Sequence, residues 1–142
     1  MNKIRKDNIM ETIEKLKTKE EVASWLEENL QEKVSYKINE DLSVESEDIL
    51  NFSHRQLKNI PIFIKKAKIL FVDANCLHEI NFLTDDFNSK FSCFLNSLSN
   101  LKGLPDSFNS ELSCSRNRFD RSGMRRLSWN KLLFRNWRAA RF

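Results

Sequence analysis

The residue pattern predicts an α/β solenoid: an N-terminal helical hairpin capping a short parallel-strand array of about four coils, then a C-terminal amphipathic helix. Three observations point there. An apolar frame recurs four times at a near-constant interval, two helical patterns precede it, and a helical pattern rich in Trp and Arg follows it. The expected divisions are 1–47 for the cap and lead-in strand or hairpin, 48–122 for the repeats and 123–142 for the basic helix.

The frame reads apolar-x-apolar-x-x-Asn-x-apolar, with one more apolar position beyond it. Leu50, Phe52, Arg55, Leu57 and Ile60 form the first copy; Leu70, Val72, Asn75, Leu77 and Ile80 form the second. Phe91, Cys93, Asn96, Leu98 and Leu101 form the third, and Leu112, Cys114, Asn117 and Phe119 the fourth. The eighth positions, Leu57, Leu77, Leu98 and Phe119, lie 20, 21 and 21 residues apart. First and third positions point to the same side of a strand, so both face the core. Parallel strands about 4.8 Å apart would let each coil bury its neighbour's apolar face. Asn in the sixth slot turns the corner, and a column of buried Asn amides is expected to satisfy the backbone and one another. Arg55 breaks the column in the first copy, as suits a terminal coil.

The frame resembles the short bacterial leucine-rich repeats of the LPX type, with a repeat of about 20 residues. Ile60-Pro61 and Leu104-Pro105 stand where that family has Leu-Pro, whereas Ile80-Asn81 and Leu101-Lys102 depart from it. The resemblance implies secreted-effector-like proteins with two N-terminal helices packed on the first coil, and residues 6–32 offer such a pair. Some members add a ubiquitin-ligase domain with a catalytic cysteine, for which the segment 123–142 is too short.

Asp7 caps the first expected helix, with Ile9, Met10, Ile13 and Leu16 as its apolar stripe. Thr18, with Glu21 three residues later, is a capping-box signature for the second, whose stripe is Val22, Trp25, Leu26 and Leu30. The short connection implies an antiparallel pair. Val34, Tyr36 and Ile38, then Leu42 and Val44, alternate with period two about residues 39–41, as a hairpin or an extended lead-in would. On a helix over residues 128–141, Trp129, Leu132, Leu133, Trp137 and Ala140 share one face.

Charge is uneven: net −5 over residues 1–48, +1 over 49–114 and +8 over 115–142. The tail therefore has two readings. It is a structural cap, or a contact for nucleic acid or nucleoprotein, an acidic groove or a membrane surface through Arg125, Arg126, Lys131, Arg135, Arg138 and Arg141. No apolar run reaches the roughly 18 residues of a membrane span, and the first residues lack the apolar stretch of a cleavable signal. A cytoplasmic protein is expected, in a bacterium or in a host cell after delivery.

Catalytic chemistry is not expected. Cys93 and Cys114 occupy the buried third slot, Cys76 has no evident basic neighbour, and His54 and His78 fall at non-equivalent positions. Phosphate loops, nucleophile elbows and recognisable carboxylate pairs are missing from the sequence, so neither cofactor nor metal is expected. The pattern instead predicts a working surface on the concave side of the strands. Phe71, Phe94 and Leu95 stand at outward positions, with Phe71 and Phe94 expected side by side and exposed, ringed by Asp73, Lys90, Ser92 and Arg116. The expected function is protein recognition, with self-association as another use of the face. A small bacterial effector, an immunity protein or a phage-encoded inhibitor of a host complex would be built this way.

Overall fold

The computed structural model describes residues 14–119. The chain enters along residues 14–17 without helical structure. The first expected helix is thereby corrected at Leu16, and its other stripe positions, Ile9, Met10 and Ile13, lie outside the described residues. The physical reason is competition for donors. Leu16 N–H donates to Pro61 O (2.9 Å), and the Lys15 ammonium donates to Ile60 O (3.0 Å) and Asn81 O (2.7 Å). Lys15 Nζ also sits 4.4 Å from the centre of the Phe63 ring. Burial pushes its pKa down to about 8, against the pull of Glu79. Residues 15 and 16 are thus tied to the corners of the first two repeats.

Helix α1 (Lys19–Asn29) begins at Thr18, whose side chain accepts from Glu21 N–H (3.1 Å). The Glu21 carboxylate reaches back one residue further than in a standard capping box, to Lys17 N–H (2.9 Å). Val22, Leu26 and Leu30 are buried, and Trp25 lies on Phe52 with ring centres 5.2 Å apart. The helix ends where Arg55 meets it: Nε and Nη2 donate to Asn29 O and Leu30 O, both at 3.1 Å. The guanidinium thus satisfies carbonyls that the helix leaves without partners.

An antiparallel hairpin follows, β1 (Lys37–Ile38) against β2 (Ser43–Glu45), with Ile38 opposite Val44. Asp41 shapes its turn by accepting from the Ser43 backbone (3.0 Å) and hydroxyl (2.7 Å), bonds that hold its carboxyl below the usual range. Leu42, at φ 72°, completes the reversal.

β3 (Ile49–Asn51), β5 (Ile69–Phe71), β6 (Lys90–Ser92) and β7 (Leu112–Ser113) form a parallel sheet in that order. Leu50, Leu70, Phe91 and Leu112 are register partners in succession, all buried, and so are the third-slot residues Phe52, Val72, Cys93 and Cys114. The backbone ladder continues to the fifth slot, where His54, Ala74 and Leu95 N–H donate to Asp73, Phe94 and Ser115 O. On the other side of each repeat, β4 (Phe63–Lys66) pairs in parallel with β2, and Ile64 bridges to Leu83. This second sheet was not anticipated from the sequence, which shows only a short apolar run there. Val44, Ile64 and Leu83 join Leu50 and Leu70 in one contiguous core.

Phenylalanine fills that core between repeats. Phe91 meets Phe82 and Phe87 edge-on, with ring centres 6.1 and 6.0 Å apart, and Phe87 stacks on Phe108 at 6.2 Å. The Asn column takes a form that corrects one expectation, because its amides bond backbone and not one another. Asn75, Asn96 and Asn117 each donate to the third-slot carbonyl of their own repeat and of the preceding one. Each also accepts from the eighth-slot N–H of the preceding repeat. Neighbouring amides are a repeat apart, whereas the backbone groups surround each one, so the backbone takes the whole valence. The first repeat has none before it, and its Arg55 turns to the helix end instead.

Candidate functional site

Inner-face positions of the four-stranded sheet are consumed by the core, so the alternate positions define the face left for a partner. Ile49, Ile69 and Lys90 are register partners along one row, as are Asn51, Phe71, Ser92 and Ser113 along the next. The backbone bonds carry the register on, setting Asp73 beside Phe94 in the fourth slot and Ala74 and Leu95 in the fifth. Phe71, Asp73, Phe94, Lys90 and Ser92 therefore hold the alternate positions on one side of the sheet, whereas Leu95 and Arg116 stand in the fifth slot, which period two would turn to the core, and are exposed nonetheless.

Their exposure differs from the expectation at three residues. Phe71 and Phe94 are half-buried rather than exposed, and Ser92 is buried. Nor do the two rings lie side by side: Phe71 is level with Ser92, and Phe94 stands two residues further along, so the pair is diagonal. The diagonal follows from the slots, the second for Phe71 and the fourth for Phe94, in strands that are in register. Asp73 occupies the position level with Phe94, and its Oδ1 accepts from Ser92 Oγ (2.6 Å) and Phe94 N–H (2.9 Å). Burial pushes the Asp73 pKa up, more strongly than its two hydrogen bonds and the nearby His54 pull it down.

Leu95 is 46% exposed and Ile49 40%, unusual for large apolar groups. Lys90 and Arg116 are exposed, and Lys90 Nζ lies 4.0 Å from Glu111 Oε1. Ile49 and Ile69 belong to the same surface although the pattern ranked them as flanking positions. Their signal was present in the apolar residues directly before each first slot. The basic positions Arg125, Arg126, Lys131, Arg135, Arg138 and Arg141, with the Trp129/Trp137 face, lie outside the described residues.

The fifth slot has a conformation the sequence did not disclose. His54, Ala74, Leu95 and Arg116 all sit in the left-handed region, at φ 59°, 55°, 59° and 58°. In the last three repeats the next residue is the inward-turned Asn, and the swing is made without glycine. A left-handed L-residue costs about 1–2 kcal/mol. Leu95→Gly removes that strain and no buried side chain, so a gain of about 0.5–1 kcal/mol is expected after glycine's entropy is counted. Thermal melting would show it as a Tm higher by a few degrees; a lower Tm would mean that Leu95 packs structurally.

Against known proteins, the chain matches no family model, no curated protein and no solved structure.

Burial raises the pKa of Cys93 well above the usual thiol value and that of Cys114 to about 12, so both are held as thiols. No group of three or more His, Cys, Asp or Glu side chains is placed to hold a metal among the described residues. No helix among them is long and apolar enough to cross a membrane.

Proposed function

We propose that the chain is a non-catalytic recognition module, a short solenoid of the leucine-rich-repeat kind that binds a partner protein through the outer face of its four-stranded sheet. One observation carries the reading. Phe71, Phe94, Leu95, Ile49 and Ile69 gather on the side of the strands opposite a core that is already filled. Apolar anchors with a polar surround are how protein interfaces are built, and Lys90 and Arg116 supply that surround. The four in-register strands and the Asn column support the solenoid reading. A small effector or an inhibitor of a host complex is the biological role that suits a module of this size.

The test begins with capture of a partner by the full chain from a host-cell lysate, identified by mass spectrometry. Phe71→Ser combined with Phe94→Ser should then weaken binding at least a hundredfold, equivalent to ~2.7 kcal/mol. Because both rings are half-buried, a modest fall in Tm is expected as well. A stable double variant with undiminished affinity would reject the sheet face. The net +8 of residues 115–142 favours a second reading, nucleic-acid or nucleoprotein binding through the tail. Added salt separates the two, since phosphate contacts weaken steeply with ionic strength and apolar contacts do not.

A further inference from the structure

We propose that the sheet face recognises an arginine side chain of its partner, with Asp73 as the group that receives it. This rests on the reading of the sheet face as a protein-binding surface and names the chemistry of what binds there. Asp73 is the acidic residue at the centre of that face, flanked by Phe71 on its own strand and level with Phe94 on the next. Its Oδ1 is used twice, by Ser92 Oγ and Phe94 N–H, which fix the orientation of the carboxylate. Oδ2 accepts from no side chain or backbone group among the described residues. A half-buried carboxylate with one oriented, unengaged oxygen complements a charged hydrogen-bond donor.

The flanking residues narrow the choice of cation. Two half-buried phenylalanines neighbour the carboxylate, Phe71 two residues before it on its own strand and Phe94 level with it on the next. A guanidinium can donate to the oxygen in its plane while its flat faces lie on rings, which a compact, strongly hydrated ammonium does less well. The apolar residues beyond, Ile49, Ile69 and Leu95, suit aliphatic neighbours of that arginine in the partner segment.

Stability supplies an independent argument. Burial disfavours the charged form of Asp73 more than its two hydrogen bonds and His54 favour it, so its folded-state pKa lies above the ordinary aspartate value. The contribution of such a group is fully present in acid, below the ordinary value, and is lost as pH rises through the folded value. As pH rises through that value, ionisation of the half-buried carboxylate therefore weighs against folding. Asparagine would keep both hydrogen bonds to Oδ1 without that charge. A charge that asparagine could replace structurally is better explained by what it binds than by what it holds together.

The experiment uses the full chain, labelled with nitrogen-15, and a blocked peptide in which one arginine is flanked by leucines. Its partner probe is the same peptide with citrulline, which keeps the shape and loses the charge. Titration is followed at the Phe94 amide, the group bonded to Asp73. The arginine peptide should bind at least tenfold more tightly than the citrulline peptide. Asp73→Asn should erase that difference while its Tm at pH 7 is unchanged or raised, the two melting curves converging in acid. Equal affinity for the two peptides, or binding of neither, overturns the proposal. Concentration-dependent association of the chain that Asp73→Asn abolishes would place a second copy on the face and also overturn it. The underlying reading fails separately, through a Phe71/Phe94 double variant that still binds the captured partner.

Discussion

Asn96→Ala is expected to destabilise the protein by about 3 kcal/mol or more and to lower its Tm on the order of 10 °C. The side chain donates to Val72 O and Cys93 O at 3.0 and 3.2 Å and accepts from Leu77 N–H at 3.0 Å. All of these are backbone groups at the junction of two repeats, and water has little access because Asn96 itself is buried. Alanine leaves Leu77 N–H without a partner, at roughly 1–3 kcal/mol, and removes one of the two amide donors from Val72 O and from Cys93 O, which keep Asn75 and Asn117 at about 1 kcal/mol lost for each bond. Asn96→Asp should be no milder. The carboxylate can accept from Leu77 N–H, but it has no donor for Val72 O and Cys93 O and faces them with negative charge. Melting of the three proteins checks this directly. If the aspartate variant were as stable as the native chain, the donor half of the arrangement would be energetically idle, and the inter-repeat role of the column would fall with it.

Gly103→Ala is expected to cost about 3 kcal/mol, the upper part of the range for overpacked sites. A Cβ built on Gly103 would lie 1.6 Å from Ile80 O and 2.5 Å from Ile80 C. The obstructing atoms are backbone, so no rotamer change can make room. One repeat would have to lift off the other at this corner, where Ile80 and Leu101 are both buried. Ser107→Ala, an exposed substitution in the turn that follows, should stay within about 0.5 kcal/mol and serves as the control. Equilibrium unfolding in urea reads both. A neutral Gly103→Ala would show that the contact between the Ile80 and Gly103 backbones is absent in solution.

Arg55 shows how a departure from the pattern acquires a cause once neighbours are known. By position it is a defect in the Asn column. In space it is the residue that closes α1, because the first repeat has no predecessor whose carbonyls an amide could serve. Gln31 works beside it, donating through its backbone to Asn51 O and through its side chain to Ser53 O, and so covers an edge of β3. Position in the frame marked Arg55 as terminal, but no spacing rule connects residue 55 to residues 29 and 30.

What the sequence determined alone is the periodic part. First and third slots had to be inside because a strand alternates with period two, and a constant interval had to bring equivalent residues into register; Leu50, Leu70, Phe91 and Leu112 are adjacent for that reason. Thr18 was likewise readable as a helix start, since a cap depends only on residues three apart. Everything non-periodic was decided by tertiary contacts. Leu16 resembles a helix residue in its local pattern, yet Pro61 O, distant in sequence, captures its N–H. Phe71 and Phe94 have outward positions, yet both are half-buried in the folded chain, beside a carboxylate held by Ser92 and the Phe94 backbone. The left-handed fifth slot carries His, Ala, Leu and Arg, residues with no common preference for that conformation. In the last three repeats the inter-repeat hydrogen bonds of the Asn beside it outweigh a local backbone cost of about 1–2 kcal/mol, and only the assembled stack contains both terms.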